Sequence, residues 1–147
     1  MTPQAFSLQL GGQTVSGLRR PGTGRRILAL HGWLDNAASF VPLLAHLPEL
    51  DIVMLDLPGH GFSSHLPAGA SYTTPAAICH VLDVADALGW ERFTLLGHSM
   101  GAGIASLTAA VSDRVERLVA IEALGGLRGP ESETAQRLHD HVTASRT

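Results

Sequence analysis

Cysteine is almost absent from this 147-residue chain: Cys79 is the only one. A disulfide framework within the chain is therefore excluded, and a reducing compartment fits. Charge is sparse too. Charged residues make up 16%, ten basic against thirteen acidic side chains leave a formal net charge of -3, and no basic stripe is present to follow a phosphate backbone. Nucleic acid is not expected as a partner. No apolar run approaches membrane-spanning length, and the opening MTPQAFSLQLGGQ has neither a basic start nor a continuous apolar core. It reads as neither a secretory signal nor a mitochondrial presequence. A soluble cytoplasmic protein with no membrane partner is the expectation. Internal repeats and low-complexity tracts are also lacking.

What the chain does have is apolar substance. At 45% hydrophobic it can build one core, and its length does not suit two. FSLQLGGQTVSGLRR alternates apolar and polar residues about Gly11-Gly12, which predicts a hairpin over Phe6 to Arg19. The unbroken run Ile27 to Leu30 predicts a strand buried on both faces, and DIVML a second one. Between them, NAASFVPLLAHLPEL reads as a short helix with Pro42 in its first turn and Pro48 at its end. A clearer helix spans Thr74 to Gly89, with Ile78, Val81, Leu82, Ala85 and Leu88 on one stripe. Cys79 beside that stripe reads as a small core residue. FTLLGHSMG is a third strand running into a helix from about Met100 to Ala110, and VERLVAIEAL is a fourth. The order predicts an α/β fold whose mainly parallel sheet is covered on both faces. Past Gly125 the sequence turns polar, so residues 1–125 are assigned to the core and 126–147 to the start of a further segment.

The chemistry concentrates in GHSMG, Gly97 to Gly101, a G-x-S-x-G pattern lying between an apolar strand and a helix. A strand that becomes a helix in one residue brings backbone against backbone, which explains a glycine two positions either side of Ser99. Ser99 then stands at the tip as a candidate nucleophile, and the Met100 N–H can donate to the oxyanion formed on a carbonyl. A second donor is expected in the loop after the preceding strand, LALHGWLDN, where Gly32 lets the chain bend so that the Trp33 N–H faces Ser99. Both motifs fall at carboxyl ends of predicted parallel strands, where open α/β sheets place their sites.

With LHGWLDNAASF, DLPGHGFSS and GHSMGAGIA in this order, the sequence resembles the amino-terminal part of an α/β-hydrolase, over roughly Phe6 to Leu124. It is similar to members described as serine hydrolase-like proteins and to esterase, lactonase and carbon-carbon hydrolase branches. The resemblance implies the α/β-hydrolase fold and acyl-type chemistry on an ester-like small molecule (carboxylic ester, lactone or thioester) through an acyl-enzyme on Ser99. Relatives that process halides or epoxides carry aspartate where this chain has serine. No cofactor is implied. The eight histidines include no helical i, i+4 pair with a third ligand, so no metal is expected either. DLPGHGFSS lacks the lysine and helix start of a phosphate loop and reads as a structural turn near the site.

The serine needs a base, and in this family the order is serine, acid, histidine. Glu122, at the end of LVAIEAL, is the candidate acid, the plainer reading being a polar residue at the mouth of the site. His139 and His141 follow in the polar tail, where a solvated helix accounts for them. His31, Gly32 and His98 flank the site as candidates for substrate contact, with loop ordering the plainer role of the two histidines. Trp33 and Phe40 are candidate walls of an acyl pocket. The chain is thus expected to stop before the cap and the catalytic histidine. A non-catalytic fragment or interaction module is the competing reading, and an incomplete sheet would invite self-association.

Overall fold

A computed structural model describes residues 2–70 and 72–122. The expected hairpin is present as β1 (Gln4–Leu10) and β2 (Gln13–Arg20), paired antiparallel from Gln4↔Arg19 to Leu10↔Gln13. Its turn places Gly11 and Gly12 at φ +55° and +80°, a conformation that side-chain-bearing residues resist. β3 (Arg26–Leu30), β4 (Asp51–Leu55), β5 (Phe93–His98) and β6 (Val115–Ile121) follow. They join the hairpin in one six-stranded sheet of order β1-β2-β4-β3-β5-β6, in which the pairs β4–β3, β3–β5 and β5–β6 are parallel. Among the described residues β6 is an outer strand, and its Val119 is 47% exposed.

The unbroken apolar runs have a direct cause. Successive strand side chains point to opposite faces. Leu28, Leu30, Val53, Leu55 and Leu95 therefore pack on one side with α1 (Thr74–Ala87) and α2 (Met100–Val111), while Ile27, Ala29, Ile52, Met54 and Leu96 pack on the other with Ala37, Phe40 and Leu44. A strand covered on both faces can afford no polar alternation.

Three local expectations are corrected. The expected short helix is present as the 3-10 segment Ala37–His46, but Pro42 lies inside it rather than in its first turn. A proline there lacks the N–H an α ladder needs and crowds the carbonyl four residues back, so a tighter turn takes over. In α1 the buried positions are Val81, Val84 and Ala85, so the stripe is rotated toward Val84, with Ile78, Leu82 and Leu88 only partly covered. Cys79 is exposed, not a core residue. The boundary expected near residue 125, with His139 and His141, lies outside the described residues. Among the described residues no helix is long and apolar enough to cross a membrane.

Candidate active site

At the carboxyl end of β5 the chain turns into α2 through Ser99, which adopts φ 52° and ψ -115°. That conformation costs a non-glycine residue on the order of 1–3 kcal/mol and persists only where the surroundings impose it. Here the surroundings are backbone. A Cβ on Gly97 would lie 2.6 Å from Ala102 Cα, and one on Gly101 would collide with the Leu30 carbonyl at the end of β3. The Ser99 N–H donates to the Ile121 carbonyl at 3.1 Å, tying the elbow to β6, and the Ser99 carbonyl accepts from Gly103 N–H at 3.1 Å to open the helix.

Beside the elbow lies the loop after β3. A Cβ on Gly32 would sit 3.5 Å from Ser99 Cβ and 3.4 Å from His98 Nδ1, so this loop lies against Ser99 and His98. Gly32 thus contributes close approach; the left-handed residue of the loop is Leu34, at φ 57°. Asp35 N–H donates to Gly32 O at 3.3 Å, closing a four-residue turn with Leu34 third, the position where a type II turn requires positive φ. Between Gly32 and Leu34, the Trp33 N–H has no acceptor among the described residues. Neither has the Met100 N–H, as the first position of a helix dictates.

His31 is fully buried, which removes it as a substrate contact. Its ring is a brace: Leu57 N–H donates to Nε2 at 3.0 Å, so Nδ1 carries the proton and donates to Gly32 O at 2.7 Å. Burial holds its pKa below the ordinary 6.5, partly opposed by the Gly32 carbonyl, with His60 pushing it down as well. Phe40 is also corrected: it is buried on the opposite face of the sheet and walls no acyl pocket. Trp33, by contrast, is 73% exposed along an open cleft that Ser99, Met100, Leu34 and His60 also line.

The His98 ring lies between the Gly32 loop, which its Nδ1 faces, and β6. Its Nε2 lies 3.2 Å from Glu122 Oε2, and Glu122, at φ 67°, is 72% exposed in its side chain. Leu34, Ser99 and Glu122 are the non-glycine residues with positive φ among the described residues, and all three stand around this site.

The turn after β4, expected from DLPGHGFSS as a structural turn near the site, supplies braces that the sequence did not assign to individual residues. Asp56, 4% exposed, accepts from Ala37 N–H at 2.9 Å through Oδ1 and from Phe62 N–H at 3.1 Å through Oδ2. Ser63 Oγ donates to the Asp56 carbonyl and accepts from Ser16 N–H at 2.9 Å. His60 Nε2 accepts from Leu34 N–H at 3.2 Å. The motif DLPGHGFSS signalled them; its role is to hold the neighbouring loop. Among the described residues no cluster of His, Cys, Asp and Glu is arranged to hold a metal.

A strained serine at a strand-to-helix turn, with glycines two positions either side and the loop after β3 packed against it, has the form of a hydrolase-type elbow. The match to known proteins agrees: residues 25–139 fit the model of the alpha/beta hydrolase fold, and the chain belongs to that family. A serine hydrolase-like protein of Danio rerio is 42% identical over 109 residues, covering 73% of this chain and 33% of the relative. One of Dictyostelium discoideum is 45% identical over 107 residues, covering 70% and 30%. The crystal structure of a hypothetical protein from Pseudomonas aeruginosa PAO1 is similar at 42% identity with TM-score 0.87, covering 96% of this chain and 51% of its own. The chain spans about a third of these curated relatives and about half of that solved structure.

Proposed function

We propose that the protein acts as a serine hydrolase on an ester-like small molecule, a carboxylic ester, lactone or thioester, through an acyl-enzyme on Ser99. One observation supports this reading: the strained Ser99 opens α2 and packs against Gly32 of the loop after β3, and neither the Met100 N–H nor the N–H of Trp33, next after Gly32, has an acceptor among the described residues. Oγ attacks the carbonyl carbon, the π electrons move to oxygen, and the two amides stabilise that oxyanion. Each such donor is worth about 10²–10³-fold in rate. As the tetrahedral species collapses, the C–O or C–S bond breaks and the leaving group takes up the proton given up by the Ser99 hydroxyl; water then adds to the acyl carbon, the Oγ–C bond breaks, and a water proton returns to Ser99 as the acid departs. Glu122 is the candidate acid of the proton relay, although His98 is the histidine it meets.

A second reading, a non-catalytic module that keeps the front half of the fold, is favoured by one fact. Among the described residues Ser99 Oγ has no hydrogen-bond partner to take its proton. Incubation with a fluorophosphonate, followed by peptide mass spectrometry, separates the two. An adduct on Ser99 that disappears in Ser99→Ala supports the hydrolase. A cooperatively melting, monodisperse protein that stays unlabelled while a full-length relative labels in parallel supports the module.

A further inference from the structure

The loops after β3 and β4 are joined by two histidines in reciprocal fashion. His31, on the first loop, accepts the N–H of Leu57 on the second at 3.0 Å; His60, on the second, accepts the N–H of Leu34 on the first at 3.2 Å. Each ring keeps its proton on Nδ1, since His31 Nδ1 faces Gly32 O at 2.7 Å and His60 Nδ1 faces Pro58 O at 3.1 Å, and carbonyls only accept. The rings lie 4.9 Å apart between centroids, tilted at 58°. His31 is sealed in the core, whereas His60 is half-buried along the cleft, so His60 is the one that a proton from solvent reaches.

We infer that His60 is a positioning residue for the oxyanion site, holding the Trp33 N–H in place through Leu34, and that it does so only while its imidazole is neutral. The inference rests on the reading of Trp33 as an oxyanion donor. Leu34 is a bulky residue in the left-handed region, which its turn requires and which its own sterics oppose. With Gly32 seated against Ser99 and Leu34 bonded to His60, the residue between them has one backbone course. A proton on Nε2 turns that acceptor into a donor facing the Leu34 N–H, so the bond is lost and the turn is free to relax. The titratable groups around the pair are His31, Asp35 and Asp56 of the two loops and Tyr72, whose hydroxyl lies over Gly59. Asp56 is occupied by Ala37 and Phe62 amides and gives Nε2 no competing partner.

The direct test is nuclear magnetic resonance of the whole chain from roughly pH 8 to pH 5, the range in which histidines switch charge. Histidine ring ¹⁵N shifts give the tautomer of His60, and hydrogen-exchange protection reports the Leu34 amide. The expected result is an Nδ1–H tautomer at the upper end and a Leu34 protection factor that falls at least tenfold as His60 takes its second proton. In His60→Gln, which keeps an acceptor that does not titrate, Leu34 protection stays level across the range. An Nε2–H tautomer, or Leu34 protection that ignores the His60 titration, would overturn the inference. Fluorophosphonate labelling forms a separate arm: His60→Ala is expected to slow modification of Ser99 about tenfold at the upper pH, and His60→Gln to restore it. If the wild-type chain does not label at all, the hydrolase reading fails while the resonance arm still decides the role of His60.

Discussion

The two sides of Ser99 are built to different standards. On the side of the β3 and β4 loops, Asp56, His31 and Ser63 are buried, each of their side-chain polar atoms meets a backbone partner, and an added carbon on Gly61 or Gly101 would collide with Asp56 or with the Leu30 carbonyl. On the side of β6, one hydrogen bond at 3.2 Å joins a partly exposed histidine to an exposed carboxylate, and β6 is the outer strand among the described residues. The difference fits the proposed roles of the two sides. Oxyanion donors, as proposed for Trp33 and Met100, act as fixed dipoles through prior positioning, so they must be rigid before substrate arrives. An exposed pair screened by water fixes little, contributing about 0–1 kcal/mol.

If that contrast is real, damage should grade with it. The largest loss is expected for Gly101→Ala, whose methyl meets the Leu30 carbonyl, a backbone atom that cannot step aside. About 3 kcal/mol or more of stability should go, read as a fall in the denaturant midpoint. Next comes Asp56→Ala, which leaves the Ala37 and Phe62 amides without their acceptor, with about 2–3 kcal/mol lost and Leu34 and Trp33 resonances displaced. Ser99→Gly should move the other way: a glycine accepts the φ of 52° without penalty, so the protein gains about 1 kcal/mol while losing its proposed nucleophile. A loss of stability in that variant would argue against strain at the elbow.

Acidification sharpens the same comparison. His31 and His80 both have pKa values held below the ordinary 6.5, chiefly by burial. The unfolded chain therefore binds protons that the folded one refuses, and stability should fall as pH drops below 6.5 toward the lowered folded values. Thermal melts at a series of pH values check the slope, and His80→Gln should reduce it. The smallest effect is expected for Glu122→Gln on the open side, within about 0.5 kcal/mol of wild type by denaturation, because the carboxylate is 72% exposed.

Much of this was legible in the sequence, for identifiable reasons. The parallel strands β3, β4 and β5 announced themselves because strands covered on both faces carry no polar alternation, and Gly97 and Gly101 marked the elbow because close backbone contacts leave only one residue type. What stayed hidden depended on partners distant in the chain. Nothing local in the sequence says that Leu34 adopts a left-handed conformation, since the acceptor that stabilises it, His60, belongs to another loop. His31 looks from its neighbours like a residue of the site and is in fact spent on Leu57. Pro42 misled for a related reason: it was compatible with a first turn, and the 3-10 segment instead began earlier, at Ala37, under Asn36, whose side chain accepts from Ala38 N–H.

The central claim is that Trp33 and Met100 present their N–H groups to one oxygen bound at Ser99. A crystal structure of the phosphonylated protein tests it most directly. The account predicts a phosphoryl oxygen about 2.7–3.1 Å from both amide nitrogens, with Leu34 still bonded to His60. An adduct whose oxygen faces solvent or the His98–Glu122 side, with the Trp33 amide turned away, would contradict it.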